Sequence, residues 1–134
     1  MRSTTGRYEG ARPSPGTAIF GLFMIAAGIA HFVNPEFYLR IMPPWLPWPE
    51  ELVLLSGICE VIAGVMVLVP GWRRAGGVFA IAVLLGVFPA NLWMAVDATI
   101  LPEVPAWVRW VRLPLQGVLI FWAWRVTQPP RRRG

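Results

Sequence analysis

Glu60 is the one carboxylate inside an apolar run from Leu52 to Val69, in the stretch Ser56-Gly57-Ile58-Cys59-Glu60-Val61-Ile62-Ala63-Gly64. A charged side chain facing lipid at the centre of a bilayer costs about 2.5–3.5 kcal/mol or more, so Glu60 must face protein and take a partner. Four other polar side chains stand in similarly apolar surroundings: His31, Asn91, Arg112 and Gln116. An acid, an imidazole, a guanidinium and two amides can relay a proton or hydrogen-bond a flat apolar ligand such as a quinone. Arg112 is the expected partner of Glu60, because a bidentate pair satisfies two charges that would each be costly alone, and His31 is the second choice. Each residue also has a plain structural reading. Asn91 and Gln116 suit interhelical hydrogen bonding, and Arg112 can extend its head to the outer interface.

Other chemistries find little support. The chain has no Walker-type loop, no GxGxxG motif after a strand and no nucleophile elbow. With one His and one Cys, a zinc site would need carboxylates from several helices, and haem would lack paired axial ligands, so no metal is expected. Cys59 is the single cysteine, which excludes an intrachain disulfide or dithiol reaction. No residue is assigned a catalytic role.

The elements that must position this set are read from composition. The chain has 134 residues, is 56% hydrophobic with a mean hydropathy of +0.56, and only 14% of its residues are charged, which describes one membrane domain. All twelve basic residues are Arg and the formal charge is +5, but no basic face with interleaved aromatics lies outside the apolar runs, so nucleic acid is not an expected partner. Residues 1–16 read as a disordered basic tail. The apolar runs predict helices over 17–33, 52–69, 75–96 and 106–126, and residues 127–134 form a second basic tail. A cleavable leader competes for the first run. It is set aside because the run is longer than a usual signal core, and Gly21, Gly28 and His31 form a packing stripe. The fourth helix is started at Ala106 because a start at Pro114 would leave only ~20 Å, too short to cross. Between the first two helices, Pro35, Pro43, Pro44, Pro47 and Pro49 with Trp45 and Trp48 predict a folded cap at the membrane surface. Pro89 is expected to kink the third helix close to Asn91.

The expectation is thus an all-α, integral membrane four-helix bundle in the cell (plasma or bacterial inner) membrane. Nine Arg fall in the tails and the middle loop and three (Arg40, Arg109, Arg112) on the other side, so both termini are placed in the cytoplasm. Depth estimated at ~1.5 Å per residue then brings His31, Glu60, Asn91, Arg112 and Gln116 together in the outer half, under the proline- and tryptophan-rich loop. The inner half is left with Gly64, Gly76 and Gly77, which suit close backbone packing.

Five segments in order resemble the DoxX family of small bacterial membrane proteins. They are Gly28-Ile29-Ala30-His31-Phe32, Ile41-Met42-Pro43-Pro44-Trp45-Leu46-Pro47, Ser56-Gly57-Ile58-Cys59-Glu60 with Gly64, Val87-Phe88-Pro89-Ala90-Asn91 with Met94-Ala95, and Arg112-Leu113-Pro114-Leu115-Gln116. The resemblance spans Thr17 to Val126 and implies a four-helix membrane protein. Relatives of that group are linked to a thiosulfate:quinone oxidoreductase subunit, to redox-stress complexes and to receptor-assembly chaperones. Two functions are therefore expected: a redox-accessory or quinone-like ligand-binding subunit centred on Glu60, or a non-enzymatic factor that assembles a partner membrane protein through its Gly-rich faces. A transporter is disfavoured, since four short helices without broken midplane segments leave little room for alternating access.

Overall fold

The computed structural model describes residues 12–129 and is all-helical, with no strand among the described residues. The expectations for the two basic tails fall mostly on residues 1–11 and 130–134, which lie outside the described residues. Helix α1 spans Pro15–Val33 and starts two residues before the position expected from hydropathy. Its start is local chemistry: the Ser14 hydroxyl accepts the Thr17 N–H at 3.2 Å, and Pro15 supplies a pre-set φ at the first position. Pro35 opens a short helix α2, Pro35–Arg40, which is followed by turns through Pro43, Pro44 and Pro47.

Helix α3, Pro49–Leu68, begins three residues before Leu52. Pro49 again sits at the start, and Glu50 and Glu51 in the first turn complement the positive end of the helix dipole. Trp48, immediately before it, has φ 51°, in the left-handed region. A 3-10 turn at Pro70–Trp72 leads into α4, Arg73–Val96, which continues through Pro89. Arg73 Nε closes this corner by donating to the Val67 carbonyl at 3.1 Å. Helix α5, Ala106–Thr127, also carries an internal proline, Pro114. Three helical segments, Pro15–Val33, Pro49–Leu68 and Pro70–Val96, are long and apolar enough to cross a membrane. Helix α5 matches them in length but carries Arg109, Arg112 and Arg125.

The long helices pack in chain order. Helix α1 lies along α3, α3 on α4, and α4 on α5, while α1 and α5 touch only sparingly. The tightest seam is α1–α3, where two glycine pairs face each other. A Cβ on Gly28 would come 2.5 Å from the Gly57 carbonyl oxygen, and one on Gly57 would come 2.9 Å from the Gly28 oxygen. Gly21 and Gly64 repeat the relation, at 3.0 and 2.6 Å. Both helices therefore present glycines seven residues apart, opposed in antiparallel order, and their backbones meet with no side chain between them. Gly76 and Gly77 are buried in the same way against α3 and α5. These glycines are occupied by packing between helices of the same chain.

Below this seam Phe20, Met24, Ala63, Val67, Ala80, Leu84, Ala123 and Val126 form one apolar core drawn from all four long helices. At the opposite end Ile41, Met94 and Leu101 form a second cluster, joined by Phe37 and Tyr38 of α2. There the two connecting loops are tied together, with Arg40 donating to the Ile100 carbonyl at 2.9 Å and meeting Glu103 Oε1 at 3.0 Å. In the second loop Asp97 Oδ1 accepts both the Thr99 hydroxyl, at 2.6 Å, and the Thr99 N–H, at 2.9 Å. These bonds hold the Asp97 carboxyl below its usual range. Because the folded value is depressed, the stabilisation is full above the unfolded carboxylate value, about 4, and is lost as pH falls through the lowered folded value. Amide protection in residues 97–100, corrected for the intrinsic pH dependence of exchange, should fall on acidification, and Thr99→Val should flatten that dependence; an unchanged acid profile in the variant contradicts this origin.

Candidate functional site

The cavity that collects the polar residues lies at the α2 end of the helices. Its volume is about 250 Å³, and all five residues singled out from sequence, His31, Glu60, Asn91, Arg112 and Gln116, contribute to its wall. Most of the remaining wall is apolar, including Phe23, Met24, Leu52, Leu84, Leu115 and Leu119, and Ile41, Met42 and Leu46 close it on the loop side.

Glu60 meets His31, not Arg112. Glu60 Oε2 lies 3.3 Å from His31 Nε2, with both side chains buried. The reason lies in the glycine seam. It brings α1 and α3 into backbone contact, and in each helix the Cα–Cβ bonds lean toward the N-terminus. In antiparallel neighbours these leanings oppose, so His31, one turn past Gly28, and Glu60, one turn past Gly57, reach toward each other. Arg112 is on α5, which packs on α4, and its side chain goes to Met94 Sδ at 3.8 Å.

His31 is held on its other edge as well. Its Nδ1 lies 3.0 Å from the Val53 carbonyl, which can only accept, so Nδ1 is the donor and Nε2 is the atom left facing Glu60. Tyr38 stacks on the imidazole with ring centroids 3.8 Å apart and planes 22° from parallel. Burial raises the Tyr38 hydroxyl pKa, Glu60 raises it further, and Arg112 opposes both. The pair at 3.3 Å is an ion-pair distance without hydrogen-bond alignment. Glu60 Oε2 is therefore a buried oxygen with no hydrogen-bond partner among the described residues.

The two amides form a second unit. Asn91 Nδ2 donates to Gln116 Oε1 at 2.8 Å, and Gln116 Nε2 donates to the Leu84 carbonyl. This bond lands beside Leu85, whose carbonyl loses its usual donor because Pro89 has no N–H. Gln116→Leu leaves the Asn91 amide unsatisfied in the α4–α5 interface and should cost about 1–3 kcal/mol. Thermal unfolding of the variant measures this, and a melting temperature equal to wild type contradicts the bridge.

Two contributors were not singled out as site residues from sequence. Tyr38 has no distinguishing pattern in the sequence around it, and its stacking on His31 gives it a place. Arg109, which the sequence offers only as one of three Arg on the outer side, is 7% exposed, and its guanidinium lies 3.5 Å from the carbonyls of Met94 and Ala95. It thus serves the free carbonyls at the end of α4 and does not line the cavity. Cys59 is partly buried and free. Among the described residues no three His, Cys, Asp or Glu side chains gather as a metal-binding group.

Comparison with known proteins gives a family and little else. No curated protein and no solved structure matches the chain. One family profile, described as a domain of unknown function (DUF8561), matches residues 20–127. The DoxX resemblance read from five short segments is thereby corrected. Glycines, a proline and one polar residue at helical spacing are what tight packing of membrane helices requires in general, so such segments are not diagnostic of one family. The redox complexes and receptor-assembly roles that the resemblance implied lose their support with it. With the match covering most of its length, this chain belongs to the DUF8561 family.

Proposed function

We propose that this chain is a multi-pass membrane protein whose four long helices form a bundle with both termini on the cytoplasmic side, and that its cavity binds a small lipid-soluble molecule with a flat, quinone-like head. Support for α5 as the fourth crossing comes from its 22 residues, ~33 Å at the helical rise, and from the buried Arg109, whose guanidinium reaches the carbonyls of Met94 and Ala95 within the protein. Exposed Trp107 and Trp110 at one end of α5 and Trp124 at the other suit the two interfaces. The Arg distribution supports the orientation.

The observation that carries the ligand reading is Glu60 Oε2, a buried acceptor without a hydrogen-bond partner among the described residues, in the wall of a mostly apolar cavity. Native proteins rarely leave such an atom unserved, and a ligand hydroxyl would serve it. Arg112 and Asn91 add donors in the same wall, so a ring carrying hydroxyl or carbonyl oxygens finds both kinds of partner. The proposal is for binding and includes no redox step. It is tested with the purified protein in nanodiscs, titrated with a short-chain quinol and followed by quenching of its tryptophans. Saturable binding is expected, with Glu60→Gln weakening it about tenfold or more, equivalent to about 1.4 kcal/mol, at an unchanged melting temperature. Equal affinity in the variant removes Glu60 from the site, and absence of saturable binding to wild type removes the reading itself.

A further inference from the structure

We infer that the ligand enters this cavity sideways from the bilayer, between α1 and α5, and that it is a single-tailed amphiphile whose chain lies in that gap. The inference rests on the ligand-binding reading above and adds the route and the tail. Helices α1 and α5 meet through Phe20 and Trp122, with ring centroids 5.4 Å apart, and Trp122 also lies beside Gly16. Both contacts are at the end of the helices remote from α2. Toward the cavity the two helices present Phe23 and Ala27 on one side and Leu115 and Leu119 on the other. Phe23 is 45% exposed and Leu115 is 54% exposed, so the same side chains line the cavity and face outward. Residues that do both mark the rim of an opening, and every side chain on this rim is apolar.

The rest of the enclosure points the same way. The α2 end is covered by the loop carrying buried Ile41 and Pro43, so the approach from water is lidded. The carboxylate of Glu60 and the imidazole of His31 sit at the back, against the α1–α3 seam. A molecule arriving through the gap would therefore meet apolar side chains first and hydrogen-bonding groups last. Size adds a constraint. Sites for whole drug-sized ligands run from about 300 to 1,000 Å³. A cavity of about 250 Å³ holds a ring-sized head, and an alkyl chain attached to it has to leave by the opening. An apolar rim is a suitable exit, because a chain lying there stays within the hydrocarbon of the bilayer.

The test uses the full chain in nanodiscs with a hydroquinone carrying a ten-carbon tail and a photoreactive diazirine near the middle of that tail. Tail-less hydroquinone in excess serves as the competitor. Labelling that the competitor removes is expected on residues 22–27 and 115–119. Competed labelling confined to α4 around Gly86 and Pro89, which also line the cavity and are exposed, or to the loop 41–46, overturns the route and leaves the binding reading intact. Absence of any competed labelling overturns both. As a second measure, Leu115→Trp narrows the rim and should slow association of the tailed probe roughly tenfold. Val65→Trp, exposed on α3 and outside the cavity wall, should leave the rate unchanged. An unchanged rate in Leu115→Trp overturns the route.

Discussion

Gly57→Val is expected to remove most folded protein from the membrane. The added Cβ alone would stand 2.7 Å from the His31 Cβ and 2.9 Å from the Gly28 carbonyl oxygen, and neither can move without shifting α1 as a whole. Overpacking of a dense interior costs about 1–3 kcal/mol where flexible side chains can adjust, and the backbone of a neighbouring helix adjusts least. The same displacement would pull His31 from Glu60, adding a lost ion pair to the steric cost. Gly28→Val should behave alike, because the relation is reciprocal. Gly117 is the internal control: an added Cβ there meets nothing within 4 Å, so Gly117→Ala should hold or raise stability by up to about 1 kcal/mol through helix propensity. Accumulation in the membrane and thermal unfolding in detergent report both effects. Wild-type behaviour of Gly57→Val would mean that α1 and α3 are not in backbone contact.

Removal of His31 is expected to cost more than removal of Glu60. His31→Leu leaves the Glu60 carboxyl in an apolar wall without the imidazole that lies 3.3 Å from it, and breaking a buried pair from one side costs about 3–5 kcal/mol. Glu60→Leu leaves an imidazole that still donates to the Val53 carbonyl and stacks on Tyr38, so its loss is smaller. The double variant His31→Leu/Glu60→Leu should recover much of the stability missing in His31→Leu, since an apolar pair of similar volume is tolerated where a lone charge is not. Arg112→Leu should be mild beside either, because among the described residues its guanidinium hydrogen-bonds only to a sulfur. If the double variant is as unstable as His31→Leu, or if Arg112→Leu is the worst of the set, Glu60 is partnered differently from the arrangement described.

What the sequence disclosed and what it withheld divide along physical lines. Apolar runs bounded by prolines locate the helices within a few residues, and the misses at Pro15 and Pro49 come from capping chemistry that hydropathy ignores. Depth along parallel and antiparallel helices gathers all five polar residues into one wall, since depth depends only on the rise per residue and the direction of each helix. The pairing within that wall was not legible. Choosing between Arg112 and His31 requires knowing that α3 packs chiefly along α1 and α4, and no local pattern states which helices are neighbours. The clue was present in the equal spacing of Gly21 and Gly28 on one helix and Gly57 and Gly64 on the next, which matches only when the two run antiparallel. Arg109 was hidden for another reason: an arginine near a helix start reads as interfacial unless the carbonyls it serves, on a different helix, are already placed.

The order α1, α3, α4, α5 in space is also the order of synthesis, and this bears on how the protein is made. Each long helix finds its principal partner in the one that left the ribosome just before it, so no early segment must wait exposed for a late one. Contacts of this local kind form quickly and leave little time for misassembly. The contact that joins first to last, Phe20 with Trp122, is sparse and comes at the end. Biogenesis should therefore tolerate a break in the chain between α3 and α4 better than a shuffling of helix order: two co-expressed halves, each a finished hairpin, have most of their partners from the start.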